Sequence, residues 1–197
     1  MKYVCIDIET TGLNEDVHGI VEFGAIIEDT EIQLPFEKIP KFNVLVEHEH
    51  YVGSPFALSL HKEIFDDLSK PQSLRSLPTV TPDKLAMNFL KWLWKSQYFN
   101  TSESGEKIIV AGKNFGMFDI RFLRKIPHWN ACINIHHRVI DPALIYFDPT
   151  VDKYELPGLD ECKKRAGLPV TTIKHRAIRD AMDVIEVLRG KLYPKIN

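Results

Sequence analysis

Asp7-Ile8-Glu9-Thr10-Thr11-Gly12 constrains this chain more than any other stretch of its 197 residues. Two carboxylates stand on alternate positions at the end of the apolar run Tyr3-Val4-Cys5-Ile6. Alternate side chains of a strand share a face, so Asp7 and Glu9 point the same way, toward the buried side or the end of a sheet. Two acids placed together there need a cation to neutralise them. The Thr-Thr-Gly that follows lets the backbone turn sharply and approach a ligand closely. The stretch reads as half of a divalent-metal site, the other half coming from later in the chain.

The rest of the pattern is that of an α/β protein. Residues 2–8, residues 20–28 and Lys41–Val46 read as three strands, close enough in sequence for an antiparallel meander. Residues 55–68 read as one helix, with Phe56, Leu60, Ile64 and Phe65 at helical spacing, and residues 82–99 as a second, with Leu85, Phe89 and Leu93 on one face. After a polar loop at residues 102–107, the short apolar run Ile108–Ala111 suits a buried parallel strand. A helix is expected from Asp119 to Lys125, a strand end at Val139 and Ile140, and final helices over residues 156–166 and Ala177–Leu192. The aromatic group Phe89, Trp92, Trp94, Tyr98 and Phe99 reads as core plus partner surface. Strands first and alternation later predict a mixed sheet, antiparallel in its first three strands and parallel afterwards, flanked by helices.

The length fits one domain, residues 1–197. A net charge of -2 argues against a long nucleic-acid footprint but permits an enzyme that holds a few nucleotides through metal ions. Cys5, Cys132 and Cys162 are odd in number and far apart, so neither a disulfide framework nor a zinc cluster follows, and a reducing cytoplasm is the simplest setting. The first apolar run is short and contains Asp7, which speaks against a signal peptide; the window from Phe89 to Trp94 is too short to span a membrane. No Gly-x-Gly-x-x-Gly follows the first strand and no Gly-Lys-Ser/Thr loop occurs, which removes support for a dinucleotide-dependent enzyme.

Two further acids have suggestive surroundings. Asp119 closes Gly112-Lys113-Asn114-Phe115-Gly116-Met117-Phe118-Asp119, where a buried strand gives way to a turn and a helix begins. In open sheets, sites collect beyond such strand ends. His175 lies just ahead of the final helix, and Asp180, five residues later, within its second turn. The order Asp-x-Glu-Thr-Thr-Gly, Asn-x-x-x-Phe-Asp (as Asn114 to Asp119) and His-x-x-x-x-Asp resembles the three motifs of the DEDDh, or DnaQ-like, 3′→5′ exonucleases, over residues 2 to about 188. The histidine form is matched; the tyrosine form would need a Tyr near Ala177 or Ile178, and there is none.

The resemblance implies a ribonuclease-H-like fold and two divalent metal ions, Mg²⁺ or Mn²⁺. By that analogy Asp7 bridges both ions, Glu9 and Asp180 complete the first, Asp119 supports the second, and His175 is the general base. Independently of it, hard oxygen ligands suit these ions and not zinc, and an ordinary histidine accepts a proton near neutral pH. The family's way of holding the terminal nucleotide points to Thr10, Thr11 and Leu13, with Leu60, His61 and Phe65 on the first helix as further candidates. Asn114 and Phe118 match the second motif and would position its loop or touch the substrate. On side-chain character alone His61 reads as packed rather than catalytic, Asp183 as an outer residue, and Asp141 and Asp160 as turn or cap residues.

Between Lys163 and Arg179 stand Lys163, Lys164, Arg165, Lys174, Arg176 and Arg179 without an acid. This predicts a basic lip beside the site that attracts a phosphate backbone, with distributive trimming and moderate salt sensitivity. The expected substrate is a 3′ end of single-stranded DNA or RNA. A free-standing processing enzyme is the preferred setting; a homodimer and a polymerase or other replication or processing partner stay open. The alternative is a catalytically inactive nucleic-acid-binding or scaffold domain on the same fold, which usually lacks one of these acids or the histidine; none is missing here.

Overall fold

The protein is described by a computed structural model covering residues 1–99, 106–170 and 175–193. Strands β1 (Lys2–Thr10), β2 (Ile20–Asp29) and β3 (Lys41–Val46) form the expected antiparallel meander. Strand β1 continues past its expected end to Thr10, with a register shift between Glu9 and Thr10. Such an irregularity re-aims the strand end, here at the start of the Thr-Thr-Gly turn. β4 (Thr79–Val80), not foreseen in the sequence, joins β3 in parallel. β5 (Ile108–Ala111) pairs in parallel with β1, and β6 (Ile135–Ile140) with β5, giving the order β4-β3-β2-β1-β5-β6. Only the end of β6 was legible: its His136-His137-Arg138 centre lies at a half-exposed sheet edge that needs no apolar run.

Eight α-helices are present among the described residues: α1 (Pro55–Leu60), α2 (Lys62–Leu68), α3 (Pro82–Ser96), α4 (Asp119–Leu123), α5 (Trp129–Cys132), α6 (Pro142–Ile145), α7 (Leu159–Arg165) and α8 (Ala177–Leu192). The single helix expected over residues 55–68 is broken at His61, whose φ of -96° and ψ of 26° leave the helical region. The break undoes the expected apolar stripe: Phe56 is 76% exposed and Leu60 is exposed, whereas Ile64 is buried. Helix α3 stops at Ser96 because Gln97 is left-handed (φ 60°). Helix α7 starts at Leu159, later than expected, with Gly158 at its N-cap, and ends before Gly167, which has φ 73°. Residues 102–105 of the expected polar loop, and Lys174, lie outside the described residues.

The two faces of β1 are covered differently. Val4, Ile6 and Ile8 pack with Phe23, Leu85, Phe89 and Trp129 on the α3 side. There Phe89 stacks on Trp129 at 5.7 Å and meets Phe23 edge-on at 5.0 Å, while Trp94 is exposed, so the aromatic group divides into core and surface. Tyr3 and Cys5 pack with Ile26, Ala181, Val184, Ile185 and Leu188 beneath α8. By strand alternation Asp7 and Glu9 continue the α8 face toward the start of that helix. The three cysteines are free. Among the described residues no helix is long and apolar enough to cross a membrane.

Candidate active site

The acids gather where β1 runs out beneath the first turn of α8. Glu9 is 7% exposed and faces Glu22 of β2 across the antiparallel pair; Asp7 faces Gly24. Asp180 lies in the first turn of α8 and His175 two residues before that helix begins. A carboxylate oxygen of Glu9, one of Asp180 and a ring nitrogen of His175 all lie within 4.8 Å of one another. A cleft of about 330 Å³ opens here, lined by Asp7, Lys113, Asp160, His175, Asp180 and Asp183.

Asp119 arrives from the other side of β1. It is buried as the first residue of α4, while the N-cap position belongs to Phe118, which makes no side-chain cap bond. Asp119 thus stands one residue inside the N-cap position. Burial raises its pKa to about 7, against hydrogen bonds from its own backbone N–H and from the Ile8 N–H, which favour the charged form and tie the carboxylate to β1.

The electrostatics of the cleft are those of buried acids whose mutual repulsion outweighs the nearby bases Arg176, Lys163 and Arg179. Burial, then repulsion from Asp119, Glu9 and Asp180, holds the Asp7 carboxyl well above the usual range. Glu9 is pushed up to about 9, by burial first and then by Asp180 and Glu22. Asp180 rises to about 7, by burial and then by Asp183. Glu9 Oε1 is buried without a hydrogen-bond partner among the described residues. A divalent cation would relieve this repulsion, and the carboxylate oxygens of Asp7, Glu9, Asp119 and Asp180 are donors of the kind that suits a hard divalent ion.

The exonuclease family model designated RNase T matches residues 4–188. The chain belongs to this exonuclease family. Its motifs are those of the DEDDh group, whose members are 3′→5′ exonucleases, and its sheet is the ribonuclease-H-like one expected. Among solved structures, the exonuclease is similar to the nuclease domain of 3′hExo, a DEDDh family member bound to rAMP. That likeness has a TM-score of 0.64 at 18% identity, over 97% of this chain and 91% of the other. It is similar to E. coli Exonuclease I in complex with a 5cy-dT13 oligonucleotide at TM-score 0.61 and 18% identity, over 95% of this chain but 40% of that one. Cell-death related nuclease 4 follows at 0.59 and 15%, over 95% and 62%. The exonuclease thus spans less than half the length of Exonuclease I. These likenesses are of fold. Comparison with curated proteins gives no match.

The second-motif loop of the exonuclease is built by Asn114, left-handed at φ 59°, whose carbonyl accepts the N–H groups of Met117 and Phe118. Its own N–H donates to Asp141 Oδ2 at 2.8 Å, and Asp141 Oδ1 caps α6 through the Ala143 N–H. Asp141 therefore has the turn and cap duty expected of it. Phe118 packs on Phe122, 5.1 Å between ring centres. Both threonines of the first motif are buried. The Thr10 hydroxyl donates to the Gly12 carbonyl; that of Thr11 donates to the Val52 carbonyl and accepts the Gly19 N–H. The Thr11 carbonyl accepts the Ser54 N–H, which ties the start of α1 to this turn. Leu13 stands 79% exposed.

His61, at the α1–α2 break, is buried with Nε2 3.4 Å from Glu9 Oε2 and its ring edge-on to His175 at 6.4 Å. Burial, then the nearby His175, lowers its pKa to about 4, so the ring is neutral and its approach to Glu9 is a dipole contact, not an ion pair. Phe65 turns away into a satellite cluster with Val21, Leu45, Ile64 and Leu68, edge-on to Tyr51 at 5.3 Å.

Three of the six bases of the expected basic lip are taken up by acids of the protein. Lys163 is 3% exposed and binds Asp183 Oδ2 at 2.8 Å. Arg165 takes the Asp152 carboxylate through two nitrogens and also Glu161. Arg176 Nε donates to Glu22 Oε2 at 2.7 Å. Their acid partners lie outside the basic segment, so the sequence window could not show them. Sequence reasoning also passed over Glu22, Gly24 and Lys113. An acid within the apolar run Ile20-Val21-Glu22-Phe23 was a signal for the first; the glycine and the lysine offered none.

Proposed function

We propose that the exonuclease releases nucleoside monophosphates from the 3′ end of single-stranded DNA or RNA by metal-assisted hydrolysis. His175 is the general base in this reading. The observation that carries it is the convergence of Glu9, Asp180 and His175 within 4.8 Å, in a cleft where Asp7 also stands. Asp7, Glu9, Asp119 and Asp180 would hold two divalent ions, Mg²⁺ or Mn²⁺, which supply charge stabilisation for the attacking and leaving oxygens of an in-line displacement. His175 accepts the proton of the attacking water while the new P–O bond forms and the bond to O3′ breaks.

The remaining residues orient the strand. The buried hydroxyls of Thr10 and Thr11 fix the turn, leaving its backbone and the exposed Leu13 to meet the terminal nucleotide. Phe56 and Leu60 present apolar surface on α1, which suits base stacking. Lys113, on the rim of the cleft, would meet a phosphate oxygen. The rAMP in 3′hExo and the oligonucleotide in Exonuclease I support this class of substrate.

The test is a time course with 5′-labelled DNA and RNA oligonucleotides of matching sequence under Mg²⁺, Mn²⁺ and EDTA, with Asp7→Asn as control. A ladder shortening from the 3′ end with metal, absent in the variant, is expected. No cleavage of either strand under any metal would favour the binding-domain alternative.

A further inference from the structure

His175 stands directly before Arg176, the residue at which the chain enters α8, with its ring near the carboxylates of Glu9 and Asp180. Among the described residues its ring has the edge contact with His61 and no hydrogen bond. Its backbone is continuous with a residue that is itself anchored. Arg176 is the N-cap of α8, in extended conformation (φ -140°, ψ 120°), and its carbonyl accepts the N–H groups of Arg179 and Asp180. Its guanidinium reaches across to β2, where Nε donates to Glu22 at 2.7 Å.

Glu22 is fully buried and would be expensive there without a cation. It sits opposite Glu9, so the same strand pair carries a metal-site acid and the anchor for the helix that faces it. Two residues along β2, Gly24 lies against the Ala177 backbone, at a distance no side chain would permit. Strand β2 thus grips the start of α8 through Glu22, which meets the Arg176 guanidinium and the Ala177 backbone N–H, and sterically at Gly24. The body of α8 is held separately, by Ala181, Val184, Ile185 and Leu188 in the core beneath it.

We propose that Arg176, latched to Glu22, is the positioning residue for His175: it fixes where the chain enters the cleft, while packing of the helix body fixes Asp180. This rests on His175 acting as the base. Releasing the latch should misplace His175 and leave the metal acids where they are. A misplacement of about 1 Å is enough to lower turnover about 100-fold.

The experiment compares Arg176→Met and the charge-neutral pair Glu22→Gln/Arg176→Met, which leaves no unpaired buried acid, each with and without His175→Ala. Turnover and KM are measured on an oligonucleotide, Mn²⁺ affinity by electron paramagnetic resonance, and the His175 ring by NMR with labelled histidine. The expected result is a turnover loss of about 10- to 100-fold in both variants, with KM and Mn²⁺ affinity little changed. Adding Arg176→Met to His175→Ala should then cost less than about twofold, because the two act as a unit. The His175 ring signal should shift or broaden in both latch variants. Full additivity with His175→Ala, an equal loss of Mn²⁺ affinity, or an unaltered His175 signal would overturn the latch. A wild-type protein that cleaves nothing would instead defeat the exonuclease reading, and the NMR comparison would still decide the latch.

Discussion

Gly24 faces Asp7 across the β1–β2 pair, and a Cβ placed on it would stand 2.6 Å from the backbone of Ala177 and Ile178. The close approach of α8 to the sheet, and so of Asp180 to Asp7 and Glu9, depends on a missing side chain. Gly24→Ala should push the helix start outward against backbone that cannot yield. Overpacking of this kind costs about 1–3 kcal/mol. A lower melting temperature together with weakened Mn²⁺ binding is expected; a variant with wild-type stability and metal affinity would show that the helix tolerates the shift.

Metal binding should be visible as stability. A ligand at one hundred times its Kd adds about 2.7 kcal/mol to the folded state. Thermal melts of the exonuclease should therefore rise with Mg²⁺ or Mn²⁺ and fall back with EDTA. Asp7→Asn should abolish that rise. The same change removes a buried charge repelled by Asp119, Glu9 and Asp180, so the metal-free variant should melt no lower than the metal-free wild type. A metal response of wild-type size in the variant would remove Asp7 from the site.

The pH dependence of the metal-free protein follows from the raised carboxyls. Asp119 and Asp180 stand at about 7 and Glu9 at about 9 in the folded state, against about 4 for exposed acids. Between these limits the folded state binds more protons than the unfolded one. Their contribution is complete below about pH 4 and is lost as pH rises through 7 to 9. Denaturant melts in EDTA should show falling stability over that interval, and saturating Mg²⁺ should flatten the fall. A profile in EDTA that rises from pH 5 to 8 would contradict the confinement of these acids.

His175→Ala should lose most turnover, by about 10²- to 10⁴-fold for a general base. Mn²⁺ affinity should survive, since four carboxylates remain. Retained turnover would take the base role from His175.

Salt should matter less than the basic segment alone implies. Lys163, Arg165 and Arg176 already neutralise protein acids. The fall of log kcat/KM with log salt should correspond to only one or two phosphate contacts. A slope several-fold steeper would mean that these bases leave their partners for the substrate.

The sequence by itself determined the family and the fold class of the exonuclease. Asp7 and Glu9 share a face because a strand has a period of two, Asp119 is legible as an acid at a helix opening beyond a strand end, and Asp180 by its spacing from His175. The meander was legible too, because three β-rich runs close in sequence have few other ways to pair. What only the tertiary structure decided is which charges neutralise which. Glu22 and Arg176 are 154 residues apart, and no local window relates them. The same holds for the break at His61, where a continuous helical pattern yields to placing a neutral ring beside Glu9. Local periodicity fixes the direction of a side chain within its own element. Partnership across elements is set by how the packed faces of sheet and helix bring distant residues together, and that emerges only when the whole core is assembled.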